Sequence, residues 1–184
     1  MAGWGLVDEL YAAGCSVKEE NYLLRWQDGQ QIGVRCGSQW AINKFGYPWH
    51  VMHRADYQRV LAEEVRRLGA EIKLGQEVLG IDCNDEAPRV HLANGETIVA
   101  DVVVGADGLR SVVRTSVLGY FKDPEESGDL AYRVTIPRED LLDEADPFIQ
   151  GILHRKTNAI WWGENMHVVL YTVRGDKMVN LVLV

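Results

Sequence analysis

The stretch DVVVGADGLRSVVR, residues 101–114, restricts the fold of this chain more than any other. Asp101 leads into three valines, a small pair follows at Gly105-Ala106, and Asp107-Gly108 supplies a turn. Ser111 then stands where a helix N-cap belongs, and Gly119 where that helix would end. The pattern predicts an apolar strand handing over to a short helix through Leu118, the unit from which α/β folds are built. In an open α/β sheet the carboxyl end of such a strand faces the ligand crevice. A carboxylate there can accept hydrogen bonds from sugar or polyol hydroxyls, and two small residues allow close approach. The plain alternative is an Asp-Gly turn with a serine cap and no ligand.

The rest of the chain is consistent with an α/β protein. Gly5–Ala13 reads as a short helix closed by Gly14, and NYLLRW and QIGVRC read as strands joined at Asp28-Gly29. SQWAINKFGYPWHVMHR reads as a loop, broken at Gly46 and Pro48. Tyr57, Val60, Leu61, Val65 and Leu68 recur at helical spacing up to Gly69, with Arg54 just ahead of them. AEIKLGQEVLGIDC, RVHLAN and ETIVADVVVG read as strands. Between two of them lies Asn94-Gly95, a hairpin turn in which both residues can take positive φ.

From about residue 119 the chain becomes acidic and proline-broken (FKDPEESGDLAYRVTIPREDLLDEADP), as interdomain crossings often are. Beyond it, AIWWGENMHVVLYTVRGDKMVNLVLV offers three strands with a turn at Gly175-Asp176. The composition shift divides the chain into an α/β region over residues 1–128 and a strand-rich region over residues 129–184.

Several functions are excluded on simpler grounds. A net charge of −8 without a basic stripe argues against a nucleic-acid partner. The longest apolar runs, Val102–Val104 and Leu181–Val184, are too short to cross a bilayer. MAGWGLVDEL carries acid where a signal peptide carries Lys or Arg. Cys15, Cys36 and Cys83 form no CxxC and read as reduced thiols, so the expected setting is cytoplasmic. The five histidines show no ligand spacing, and no metal is expected.

Asp107, Gly108, Ser111 and Arg114 fill the four fixed positions of a longer fingerprint. On these residues the chain resembles the flavin-dependent aromatic hydroxylases of the para-hydroxybenzoate hydroxylase fold, salicylate-hydroxylase-like monooxygenases in particular. WGLVDEL with AGC, and HRADYQRVL, extend the resemblance toward the N-terminus. It implies a partial Rossmann-like FAD/NAD(P)-binding domain leading into an antiparallel substrate-binding sheet. It further implies FAD as cofactor, NAD(P)H and O2 as co-substrates, and a small aromatic or phenolic substrate.

By the same resemblance Arg54 reaches FAD, Val78 lines the adenine through its backbone, and Asp107 holds the ribityl or nicotinamide-side hydroxyls. Arg133 orients the substrate oxygen and Tyr171 assists phenol deprotonation. The residues alone leave other roles open. Arg54 could pair with Asp56 at the surface, and Tyr171 could pack with Trp161 and Trp162 on one sheet face. A complete family member would begin with a strand and GxGxxG and carry a Gly-Asp-Ala-type motif further on; neither is present. The chain thus resembles the middle of a monooxygenase, a fragment expected not to hold FAD stoichiometrically alone. A non-catalytic remnant or interaction module stays open, as does a relative that uses FAD for epoxidation or halogenation.

Overall fold

Strands alternating apolar and polar residues assemble the larger of two compact units. The computed structural model describes residues 2–83, 87–141, 146–154 and 157–184. One unit comprises Met1–Ala70 with Asp129–Val184, and the other Glu71–Gly128. The fold is mixed α/β. Among the described residues no helix is long and apolar enough to cross a membrane.

The first unit is built on a six-stranded sheet. Its strands are β2 (Glu20–Arg25), β3 (Gln31–Cys36), β8 (Tyr132–Pro137), β9 (Thr157–Gly163), β10 (Met166–Val173) and β11 (Met178–Leu183), in the order β3-β2-β9-β10-β11-β8. The sheet is antiparallel except at β2–β9, where Tyr22 pairs with Ala159 and Leu24 with Trp161 in parallel. The apolar MVNLVLV segment is an interior strand, because β8 pairs along its outer side from Tyr132↔Leu183 to Pro137↔Met178. Side chains alternate between the sheet's faces. Tyr22, Leu24, Ala159, Trp161 and Leu170 turn to one face and form a core with Ile152 of α5 (Pro147–Leu153). Full burial of a side chain such as Leu24 or Ile152 contributes about 1.5–3 kcal/mol.

The unit also holds α1 (Val7–Ala12), the short pair β1 (Ser16–Val17) and β4 (His50–Val51), and α3 (Arg54–Arg67). Leu10 and Cys15 bury against Val60 of α3. That helix matches its apolar spacing, and Gly69 just beyond it takes φ 85.

The stretch expected to be a loop contains α2 (Ser38–Phe45). Gln39 donates to Asn43 at 3.0 Å, and Lys44 lies over the rings of Trp40 and Phe45. These local side-chain contacts support a helix. Gly46, read as a breaker, is its left-handed C-cap at φ 78.

The second unit is an antiparallel sheet of β5 (Val78–Asp82), β6 (Arg89–Leu92) and β7 (Thr97–Val99), with α4 (Val112–Leu118). The Asn94-Gly95 turn forms, but only Gly95 takes positive φ. Asn94 instead accepts the Glu96 N–H on its side-chain oxygen at 2.9 Å.

Two expected strands are shorter or missing. AEIKLGQEV becomes strand only from Val78, and DVVVG has no strand pairing. An extended segment becomes a strand only when neighbours accept and donate its backbone hydrogen bonds. Among the described residues none pair with DVVVG, and Val102 and Val104 stand exposed. Residues 142–145 of the acidic stretch lie outside the described residues.

Candidate functional site

Strand register determines which residues can act together on the large sheet. Tyr171 on β10 pairs with Asn180 on β11, and Asn180 pairs with Thr135 on β8. Val182 pairs with both Val169 and Arg133. Directly opposed residues share a face, and so do residues two apart. Tyr171 and Arg133 therefore lie on the same face, opposite α5. Two strand spacings and a two-residue offset put their Cα atoms roughly 12 Å apart. Tyr171 is half-buried and Arg133 exposed, and neither side chain has a hydrogen-bond partner among the described residues.

Trp161 and Trp162 cannot share that face together, because consecutive strand residues point opposite ways. Trp161 packs toward α5, while Trp162, paired with His167, lies on the Tyr171 face. A single aromatic face made of all three is thus ruled out.

Arg54 opens α3, where His53 accepts the Ala55 N–H on its side chain. Its expected alternative partner, Asp56, is engaged elsewhere. Arg174 grips the Asp56 carboxylate with two donors, Nε to Oδ2 at 2.6 Å and the terminal amino group to Oδ1 at 3.2 Å. The Arg174 guanidinium holds the Asp56 carboxyl below its ordinary pKa. Arg54 is left exposed, with no hydrogen bond or ion pair among the described residues. An unpaired guanidinium at a helix N-terminus suits an anionic or carbonyl-bearing ligand.

In the second unit the Asp107 carboxylate folds back onto α4. Ser111 Oγ donates to Oδ1 at 2.6 Å, and the Val112 and Val113 N–H groups donate to Oδ2 at 2.7 and 3.1 Å. Ser111 in turn accepts the Arg114 N–H at 2.9 Å, which makes it the expected N-cap. These bonds hold the Asp107 pKa below the usual carboxylate range, the Ser111 bond first. A carboxylate has about four acceptor positions, so Asp107 can still take a ligand hydroxyl. The element that Gly105 lets approach is α4 itself. A Cβ at Gly105 would lie 2.6 Å from Val113 Cγ1.

Val78 is the first residue of β5, paired with Leu92 beside a register shift. The five expected site residues thus divide between the units, with Arg54, Arg133 and Tyr171 in one and Val78 and Asp107 in the other.

Sequence reasoning missed three polar residues on the Tyr171 face. His167 lies four residues before Tyr171 on the same strand. Asn158 donates to Asn21 at 2.7 Å across the parallel β2–β9 junction. Asn180 keeps a wholly buried Nδ2 without a hydrogen-bond partner among the described residues. The available signal was an asparagine at a position that strand alternation places inside an apolar run.

Residues 1–156 match the family model described as FAD binding domain. The chain belongs to that FAD-binding family. Its curated relatives include 3-hydroxybenzoate 6-hydroxylase 1 of Aquipseudomonas alcaligenes, 38% identical over 87% of this chain and 39% of the relative. FAD-dependent monooxygenase OpS4 of Beauveria bassiana is 33% identical over 98% of this chain and 42% of the relative. Among solved structures, a salicylate hydroxylase substrate complex superposes with a TM-score of 0.70 at 23% identity, over 97% of this chain and 44% of that one. Klebsiella pneumoniae HpxO, complexed with FAD and uric acid, gives 0.79 at 19% identity over 100% and 43%. The chain spans about two fifths of the length of these FAD-family relatives.

Proposed function

We propose that this chain is the central segment of an FAD-dependent monooxygenase that hydroxylates a small aromatic or phenolic substrate with NAD(P)H and O2. The observation that carries the reading is the shared sheet face of Tyr171 and Arg133, where a phenol and a guanidinium both stand without hydrogen-bond partners among the described residues. A planar hydroxylated ring lying on that face would meet a cation for its oxygen or carboxylate at one end. At the other it would meet a phenol able to take up or return a proton. The relative named as a 3-hydroxybenzoate hydroxylase supports a ring bearing both hydroxyl and carboxylate groups.

The residues present fit FAD in type. Arg54 offers an unpaired guanidinium for the nucleotide's anionic or carbonyl groups, and Asp107 retains acceptor positions for hydroxyls. Val78 offers backbone groups beside a register shift for an adenine edge. When bound, the flavin supplies the redox and oxygen chemistry, and the protein positions the substrate and keeps water out.

The test uses the full-length protein. Purification should yield bound FAD, and a set of hydroxybenzoates should be screened for NADH or NADPH oxidation together with product formation. Oxidation matched by a ring-hydroxylated product supports the reading. Bound FAD with no hydroxylated product from any phenolic or aromatic acid would remove it.

A further inference from the structure

The turn between β10 and β11 is held in an unusual backbone conformation. Arg174, Gly175 and Asp176 take φ values of 55, 62 and 67 in succession, and two of them are not glycine. Side chains other than glycine enter this left-handed region at a cost and remain there only when their surroundings hold them. Each of the three residues is anchored to a distant part of the unit. The Arg174 guanidinium forks onto Asp56. The Gly175 N–H donates to the Gly14 carbonyl at 3.0 Å. Asp176 accepts from Thr172 and from buried Lys18, whose Nζ lies 3.3 Å away.

The two-donor link of Arg174 reaches the start of α3. Asp56 is mostly buried, and its two oxygens are matched by two guanidinium donors in a fork that lysine cannot reproduce. Arg54 and Asp56 are two residues apart, about 200° around the helix, so they point to nearly opposite sides. Fixing Asp56 against the turn sets the rotation of the first helical turn and directs Arg54 away from it. Tyr171 lies three residues before Arg174 on the strand that feeds the turn.

We propose that Asp56 and Arg174 are positioning residues for FAD binding, acting through Arg54. This rests on the reading that Arg54 contacts the flavin nucleotide. Asp56 and Arg174 touch neither substrate nor cofactor. They hold α3 in the rotation that presents the arginine.

The test measures FAD dissociation constants of the full-length protein by flavin-fluorescence titration of the apoprotein, alongside thermal midpoints. Arg54→Gln should weaken FAD binding about tenfold. Asp56→Asn and Arg174→Gln should each weaken it to a similar degree, and the pair together no more than either alone. The decisive comparison is Arg54→Gln with Asp56→Asn added, which should bind FAD no worse than Arg54→Gln alone. A purely structural role would weaken binding further in that background and would overturn the inference. Should Asp56→Asn fail to fold, Arg174→Lys retains the charge and loses the fork, and it should show the same loss and the same dependence on Arg54. Unchanged FAD binding in folded clamp variants, with Arg54→Gln still impaired, would overturn the inference alone. Unchanged binding in Arg54→Gln would overturn the flavin reading of Arg54 and this inference with it.

Discussion

The Asp107 carboxylate and the Ser111 hydroxyl, 2.6 Å apart, form a reciprocal lock on the start of α4. Asp107 accepts the hydroxyl and two backbone N–H groups, while Ser111 accepts a third N–H from Arg114. One four-residue spacing therefore both closes the helix and places a carboxylate at its entrance. Ser111→Ala should cost about 1 kcal/mol, the usual penalty for losing an N-cap, measurable by chemical denaturation.

The same lock predicts a pH dependence. The folded pKa of Asp107 lies below its unfolded value of about 4, so its stabilising contribution is complete above that value. It is lost as pH falls through the lowered folded pKa. Hydrogen exchange at the α4 amides should therefore accelerate, relative to the unfolded chain, as pH drops below 4. Asp107→Asn should flatten that dependence. An identical pH profile in variant and parent would show that the carboxylate does not hold the helix.

Gly105 should not tolerate a side chain. A Cβ there would meet Val113 at 2.6 Å, so Gly105→Ala should force α4 outward and cost about 1–3 kcal/mol. Adding Val113→Ala should recover most of the loss. Failure of that rescue would place the strain elsewhere.

Tyr171→Phe removes a hydroxyl that has no hydrogen-bond partner among the described residues. The thermal midpoint should scarcely change. In the full-length protein, hydroxylation should fall by roughly 10²–10⁴-fold if the phenol moves a proton. Parental turnover would return Tyr171 to a packing role.

Asn180 offers the opposite contrast. Its buried Nδ2 has no partner among the described residues, and an unsatisfied buried amide is costly. Asn180→Leu, close in volume, should raise stability by about 1 kcal/mol. A loss of stability would mean that the amide has a partner in solution, and a bound water would be the first to seek.

What could be read from the sequence followed the range of the interactions. The α3 and α4 helices were legible because their apolar spacing, Ser111, Gly69 and Gly119 act within a few residues of one another. The three C-terminal strands were legible from their apolar runs. The α2 helix was hidden because Gly46 and Pro48 looked like breakers, while its supporting contacts from Gln39 and Lys44 leave no apolar period. The joining of β2 to β9 could not be seen, since no local pattern encodes a partner 137 residues away. The same holds for the site. Arg54 was visible as a helix-start arginine, but the Asp56–Arg174 pair beside it joins residues 118 apart in the sequence, which no local pattern encodes.

The parallel junction of β2 with β9 also sets a timetable for synthesis. Residues 71–128 form one unit continuous in sequence, and its internal contacts can close as soon as that stretch has left the ribosome. The hairpin of β2 and β3 is made earlier, but its inner edge must wait for β9. Until residue 157 emerges, β2 presents a row of unpaired amides and carbonyls beside Tyr22 and Leu24, the kind of edge that recruits strands from other chains. Final assembly is therefore late and dominated by long sequence separations, which makes it slow. Chaperone demand during translation should peak in the interval between those two strands.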